Sequence, residues 1–493
     1  MTSLVPFVVM VTLLVASATA ATTASTPDVG PITPAPATYN TSNMRFDYGE
    51  ALGLSILFYD AQRVGHLPAD NPIAWRGDSF LYEVDAEGND LTGGWFDAGD
   101  HVKFNFPQAY TVWDLNWGFL EFREAYEVTG QTNMMCDMIK WPLEYFLKCW
   151  QPATNTLYTQ VGDADFDHTF WGSPEILTMM RPAWQVNTTC PGSEVAGDFA
   201  SAFASAYLVF SEICGDDDFA AEMKSAAESV YAFATDYQGS YSAGCYDDSS
   251  DYYGSRDYMD ELSVAAAWMY KITGEDTYLA DAETFYASVS VGSMGLDWSS
   301  KGAGASLLLY EATMSEDPYG ADLRNFIEER MPGGRFPYSP CGFAYLDTWG
   351  SARHASNVAF LALLAAEQGV NVTEYQEWAL SQINYLLGDN NYNMSYEVGF
   401  GAFSPTIYHH RASSCLEEYL EDCDIMYEGD NPHILFGGLV GGPDDMDHWA
   451  NNRSDYVQNE VAIDYNAGFQ GALAGLVFFA VDDALAEAPP AKC

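Results

Sequence analysis

The chain has 493 residues, with 70 Asp and Glu against 19 Lys and Arg, and a formal net charge of −51. Phosphate backbones and anionic headgroups repel such a charge, which argues against nucleic-acid and membrane-surface partners. Hydrophobic residues make up 48% of the chain and charged residues only 18%, too apolar for a disordered acidic protein, so a large core under an acidic skin is expected.

Leu4 to Val15 is an apolar run, and Ala18-Thr19-Ala20 after it fits the cleavage pattern of a secretory signal over residues 1–20. The run is shorter than the roughly 20 apolar residues a bilayer span needs. Residues 21–43 are rich in Thr, Pro, Ala and Ser and read as a solvated arm or linker. Residues 44–485 keep one composition without a second linker and read as a single domain, followed by a short, loose tail at 486–493. A secreted, extracellular protein follows. All nine cysteines lie after the signal, with no CxxC and no zinc spacing. Cys415 and Cys423 suit a local disulfide, and the odd count leaves at least one thiol free or intermolecular. Sequons stand at Asn40, Asn187, Asn371, Asn393 and Asn452; the last is expected to stay bare because its neighbours look catalytic.

Apolar residues recur three or four apart along most of the domain, as at Val195, Phe199, Ala202, Ala206 and Val209. The spacing predicts twelve helices, over 47–63, 112–129, 134–150, 195–214, 217–237, 260–273, 275–289, 303–313, 319–330, 354–368, 373–387 and 465–485. Several stop at a glycine that can supply a left-handed C-cap: Gly130, Gly215, Gly274 and Gly369. Alternating β-type runs are scarce. Long loops rich in Gly, Trp, Asp and His fill 64–111, 152–192, 238–258, 332–350 and 388–464, and loops of that length are usually functional. A closed ring of helix pairs with these loops at one end would make a long cleft, a shape suited to a polymer.

No GxGxxG, P-loop, GxSxG or HExxH occurs, so nucleotide, α/β-hydrolase and zincin chemistries lack their signatures. Carboxylates and aromatic rings remain, which is what polysaccharide hydrolysis uses: one acid, one base and flat faces for sugars. In GGWFDAGDHVKFNF (93–106), Asp97 and Asp100 are three apart among glycines and can share one water. In NNRSDYVQNEVAIDYNAGF (451–469), Glu460 lies among Tyr456, Val461, Ala462 and Tyr465, surroundings that raise a carboxyl pKa. In SYEVGFGAFSPTIYHHRASS (395–414), His409 and Arg411 flank His410, so in extended backbone both face one way and can donate to sugar hydroxyls.

Taken together these segments resemble glycoside hydrolase family 9, the inverting cellulases. PADNPIAWRGDS (68–79), GGWFDAGDHVKF, QVGDADFDHTFWG (160–172), LDTWGSARH (346–354), HHRASS and the run from Arg453 to Phe469 are similar to the family's blocks in the family's order. The resemblance implies an all-α fold, an (α/α)6 barrel, and a monomeric endo-β-1,4-glucanase that inverts configuration. It implies Asp100 as general base, Asp97 as the partner that holds the same water, and Glu460 as general acid. It implies sugar contacts from His168, Trp171, Trp349, Arg353, His409, Arg411 and Tyr465. No cofactor is implied for the chemical step. A structural calcium is left open with an incomplete ligand set: Asp260 and Glu261 are kept, but Ser299 follows Trp298 where the family often has Asp. Asn451 and His354 also depart from the family, which usually has Asp and commonly Tyr there. The tetrapeptide Arg76-Gly77-Asp78-Ser79 spells a cell-adhesion motif but falls within the family's WRxDS block. Alternatives on the same scaffold are a non-hydrolytic glycan-binding or adhesive protein, or an exo-acting β-glucosidase or glucosaminidase.

Overall fold

The helix Ile463–Val481 reads IDYNAGFQGALAGLVFFAV and buries nearly every residue. A helix that is apolar all round sits inside other helices, not on a surface. Ser193–Leu208, Gly302–Thr313 and Ser351–Glu367 share that character. With Asn105–Glu121 and Met259–Thr273 they close an inner ring of six. Each inner helix is backed by an outer one. Thr132–Cys149 backs Asn105–Glu121, Asp217–Asp236 backs Ser193–Leu208, and Asp276–Tyr286 backs Met259–Thr273. Ala321–Glu328 backs Gly302–Thr313, Val372–Leu387 backs Ser351–Glu367, and Tyr48–Gln62 backs Ile463–Val481. The outer helix Thr132–Cys149 buries one stripe, Met135, Met138, Ile139, Pro142, Leu143 and Phe146, spaced for a single face. The molecule is thus all-α, an (α/α)6 barrel, in a computed structural model that describes residues 41–243, 249–255, 257–292, 295–415 and 423–493. The expected signal segment and all but the last three residues of the 21–43 arm lie outside the described residues. No helix among the described residues is long and apolar enough to cross a membrane.

Small residues let the inner helices touch. A Cβ on Gly468 would stand 2.7 Å from the Asn357 Cα, and one on Gly471 would stand 2.6 Å from the Phe360 ring. Helix ends follow the expected chemistry, with Gly215 and Gly274 both at φ +69° after their helices. One start differs. The helix expected from residue 112 begins at Asn105, because Pro107 is tolerated in a first turn where its missing N–H costs nothing. It then breaks at Phe122 and resumes as Arg123–Val128.

The segments expected as loops contain a small sheet. Thr156–Val161 pairs antiparallel with Lys103–Phe104, Trp150–Gln151 and Ala183–Val186. Three of these strands are only two to four residues long, and Thr156–Val161 is buried on both faces, so no polar–apolar alternation marks it. The pairing of Lys103 with Val161 sets the 97–102 loop beside the 162–168 loop. Next to it, the Arg-Gly-Asp-Ser stretch is structural. Arg76 is buried, bonded to Glu175 and to the carbonyl oxygens of Ala61 and Arg63, and Asp78 is engaged by His66 and the Leu67 amide.

Disulfides join Cys415 to Cys423, as expected, and also Cys136 to Cys214 and Cys341 to Cys493. Cys190 is disulfide-bonded as well, and Cys149 is a free, buried thiol. The tail, expected to be loose, is fastened. Its last residue is bonded to Cys341, and the Ala486 amide donates to Gln376 Oε1 at 2.8 Å. The Cys341–Cys493 bond spans 152 residues, and bridges over long loops remove much freedom from the unfolded chain. Replacing both cysteines by Ser is expected to cost about 2–5 kcal/mol of unfolding free energy, read from urea denaturation; an unchanged midpoint would mean the tail contributes nothing.

Candidate active site

The loop carrying Asp97 and Asp100 is held from several directions by backbone. Asp97 N donates to Val102 O at 3.0 Å, and Ile463 N donates to Asp97 O at 2.9 Å. Gln62 Nε2 donates to Ala98 O at 2.7 Å. Below it, the fully buried Lys103 ammonium bonds Glu83 Oε2 at 2.6 Å and Leu91 O at 2.7 Å. Gly99 sits at the closest approach. Its carbonyl accepts from Arg411 N at 3.0 Å, and a Cβ there would stand 2.4 Å from His409 O. Only glycine allows these two segments to meet.

Glu460 follows the short Tyr456–Asn459 helix in extended backbone. His409 N donates to Asn459 O and Gly441 N to Glu460 O, both at 2.9 Å, so the two segments singled out in the sequence run side by side. His410 is extended, which turns it to the opposite side from its neighbours. His410 is buried, with Nε2 3.0 Å from Gln62 Oε1. His409 and Arg411 instead line a cleft of about 720 Å³. The same cleft is lined by Asp97, Asp100, His168, Trp171, Trp349, Arg353, Glu460 and Tyr465, so every candidate from the sequence is brought to one place.

The carboxyl groups differ by their surroundings. Burial and the charge of Asp100 push Glu460 up to about 8, although Arg411, His168 and the Gly99 backbone pull it down. Burial and Asp100 also push Asp97 well up, opposed by the Tyr253 hydroxyl, which donates to Asp97 Oδ2. Asp100 has His168 Nε2 at 3.2 Å, and the Ala98 amide donates to its Oδ1 at 3.3 Å. Burial lowers the basicity of His168, yet its hydrogen bond to Asp100 and the Asp100 charge leave it raised. Arg411 forms an ion pair with Asp167, which also accepts from His101 N at 3.3 Å.

One expectation is reversed. His409 Nδ1 lies 2.7 Å from the Arg453 carbonyl, which can only accept, so Nδ1 carries the proton. Burial holds the ring down to about 4. His409 is then neutral above that pH and presents the Nε2 lone pair, 3.9 Å from Glu460 Oε1, so toward the cleft it can accept a hydrogen bond where donation was expected.

Other cleft residues were not picked out in the sequence. Asp251, Tyr252, Tyr253 and Trp298 form one wall, and Tyr456 and Asp464 another. The signal for Asp251, Tyr252 and Tyr253 was the Gly- and Tyr-rich 238–258 loop, whose length marks it as functional but which singles out no residue; Trp298 lies outside it. Asp464 is hidden because a lone acidic residue in the first turn of a helix is ordinary.

The glycosyl hydrolase family 9 model matches residues 48–473. The chain is 42% identical over 449 residues to Endoglucanase B of Cellulomonas fimi, covering 88% of this chain and 42% of that protein. It is 40% identical over 447 residues to Endoglucanase A of Bacillus pumilus, covering 88% and 66%. It therefore spans less than two thirds of the length of each of these two relatives. Among solved structures, an endoglucanase from the termite Nasutitermes takasagoensis superposes with a TM-score of 0.84 at 43% identity, over 88% of this chain and all of the other. The cellulase Cel9M of C. cellulolyticum, solved with cellobiose, superposes with a TM-score of 0.79 at 33% identity, over 88% and 99%.

The residues at the expected calcium position do not fit that ion. Calcium takes about six to eight oxygens converging at about 2.3–2.6 Å. Here Asp260 Oδ2 accepts from the Lys301 amide at 2.6 Å. Glu261 Oε1 and Asp198 Oδ2 each lie 3.1 Å from the Lys301 ammonium, which is fully buried and also bonds Trp298 O. Ser299 Oγ donates to Asp297 at 3.0 Å and offers no carboxylate. The positive charge among these acids is a lysine. The only other convergence of such groups among the described residues is Asp100, Asp167 and His168, where Asp167 already holds Arg411. Stripping the protein with a chelator is expected to leave its melting temperature unchanged, and added calcium to raise it no further; a drop of several degrees on chelation, restored by calcium, would show a bound ion.

Proposed function

The chain belongs to glycosyl hydrolase family 9, and on that premise we propose that it is a secreted, monomeric endo-β-1,4-glucanase that cuts internal bonds of cellulose and related β-glucans with inversion. The observation that carries the reading is the division of labour among buried carboxyls in one cleft: Glu460 pushed up to about 8 and Asp100 hydrogen-bonded to His168.

In this mechanism a sugar chain lies along the cleft with its scissile oxygen at Glu460. A water rests on Asp100 and Asp97. Asp100 takes a proton from the water as its oxygen attacks the anomeric carbon, and Asp97 orients it, itself held by Tyr253. Glu460 gives its proton to the departing oxygen from the other face. Room for the water calls for a separation of roughly 6.5–9.5 Å between base and acid. His409, Arg411, Trp171 and His168 contact the sugar near the cut, and Trp349, Arg353 and Tyr465 contact it further along. Trp349 and Tyr456 are half exposed with ring centres 5.4 Å apart, a surface on which a sugar ring can stack. Secretion is supported by the disulfides, which persist in oxidising compartments.

The wild-type protein is expected to release reducing sugar from carboxymethylcellulose with a rapid loss of viscosity, the mark of internal cuts. Slow viscosity loss at the same bond count would make it exo-acting. The first product seen by proton NMR should be the α-anomer, and β-anomer would contradict inversion. Glu460→Gln is expected to lose at least about a thousandfold in kcat while still binding cello-oligosaccharides. Because Glu460 must hold its proton, the rate should be intact below and fall as pH rises through about 8. A flat profile to pH 10 would remove Glu460 as the acid.

A further inference from the structure

His354 lies outside the cleft lining, one residue after Arg353 in the first turn of Ser351–Glu367, and is 3% exposed. The Arg353 guanidinium is gripped at two points. Its Nη1 donates to Asp464 Oδ2 at 2.5 Å, and its Nη2 lies 2.9 Å from His354 Nε2. A guanidinium has no acceptor, so His354 Nε2 must accept. The ring is then neutral with its proton on Nδ1, which faces Asp297 Oδ2 at 3.8 Å and has no hydrogen-bond partner. Burial and the Arg353 charge hold His354 down to about 4, against the opposing charges of Asp297 and Asp347. The ring also has a fixed seat, since a Cβ on Gly295 would stand 2.7 Å from Nδ1.

Asp464 is 1% exposed and stands one residue from Ile463, whose amide bonds the Asp97 carbonyl. Its charge acts on Asp97 and on Tyr253, the two groups that meet beside Asp100. It also faces Asp297 and the phenols of Tyr59 and Tyr110, none of which is a cation. Arg353 is the positive charge against it.

We infer that His354 is a positioning residue: its Nε2 lone pair holds the Arg353 guanidinium on Asp464, and so shields Asp97 from the Asp464 charge. The inference rests on the glucanase reading only for its kinetic consequence. Without the acceptor, the Nη2 edge of Arg353 loses its partner and the guanidinium turns. Asp464 then stands uncompensated, Asp97 holds a proton to higher pH, and the attacking water is oriented less well. Of the proposed sugar contacts only that of Arg353 is disturbed, and the others are left as they were.

Two variants of the full chain test this, with kcat and KM on cello-oligosaccharides followed from acid to alkaline pH and a thermal melt for each. His354→Leu removes the acceptor. It is expected to lower kcat about tenfold with KM changed less than about threefold, and to move the acid limb of kcat up by about one pH unit. His354→Gln offers an amide oxygen in place of Nε2 and is expected to restore kcat to within about threefold with the acid limb back in place. A folded His354→Leu protein with the wild-type kcat and acid limb overturns the inference, and so does a Gln variant as impaired as Leu. A readout in the wild-type protein stands apart from both. Nitrogen-15 NMR should find His354 as the neutral Nδ1–H tautomer from about pH 5 to 8, and a charged ring or an Nε2–H tautomer there overturns the inference even if the Leu variant does not fold. Should the wild type fail to cut β-1,4-glucan at all, the glucanase reading falls, while the tautomer still decides whether His354 holds Arg353.

Discussion

All six inner helices begin at the cleft end of the barrel, and that common direction organises the rest. A helix N-terminus carries a partial positive charge and favours anions. Glu194 lies in the first turn of Ser193–Leu208, with Asp198 a turn further in, Asp260 and Glu261 open Met259–Thr273, and Asp464 opens Ile463–Val481. Two cations stand in the same ring of ends against the dipole: Lys301 as N-cap of Gly302–Thr313, and Arg353 in the first turn of Ser351–Glu367. Each is matched across to a neighbouring helix. Lys301 reaches Asp198 and Glu261, and Arg353 reaches Asp464. The ring of helix ends is thus cross-linked by charge, and the loops that carry the reacting groups are built on top of it.

The same bookkeeping explains how so acidic a chain folds. Among the described residues, Arg63, Arg76, Lys103, Lys301, Arg330, Arg353, Arg411 and Arg453 are buried, eight of the 19 Lys and Arg in the chain. The scarce cations are drawn inside, where a pair is screened least and where leaving a carboxylate unpaired costs most. Arg76 with Glu175 and Arg411 with Asp167 each fasten one long inter-helix segment to another, and Lys103 with Glu83 closes the 64–111 segment on itself. The surface is left with carboxylates facing water, where they stay solvated.

Much of this was legible in the residues. The twelve helices follow from three- and four-residue spacing, and several of their ends from glycine, because both are local effects. The Gly-rich DxxD loop, the buried-looking Glu460 and the His409–Arg411 pair could be picked out because each combines residue types whose chemistry is specific. What stayed hidden depends on long-range contact. Strands two residues long carry no period. Tyr253 is 156 residues from the Asp97 it bonds, and Asp167 is 244 residues from Arg411. The direction of His409 was misjudged for the same reason. Its proton is placed by the Arg453 carbonyl, 44 residues on, and not by its neighbours. The tail looked loose because a terminal cysteine says nothing of a partner 152 residues back.

That long-range wiring also gives the cleft carboxyls different surroundings. Asp100 is buried and Glu460 largely so, with 17% of its side chain exposed, and Arg411 stands near them. Were the guanidinium free to face Glu460, it would favour the ionised form of that carboxyl. Asp167 prevents this by taking Arg411 into its own ion pair, while His101 N caps the same carboxylate. His409, the next group beside Glu460, is neutral and adds no charge. On the other side His168, its basicity raised, turns its Nε2 to Asp100 and favours the anion there. Two carboxyls in one cleft thus have opposite surroundings, because Arg411 is tied up by a third acid while His168 is aimed at Asp100.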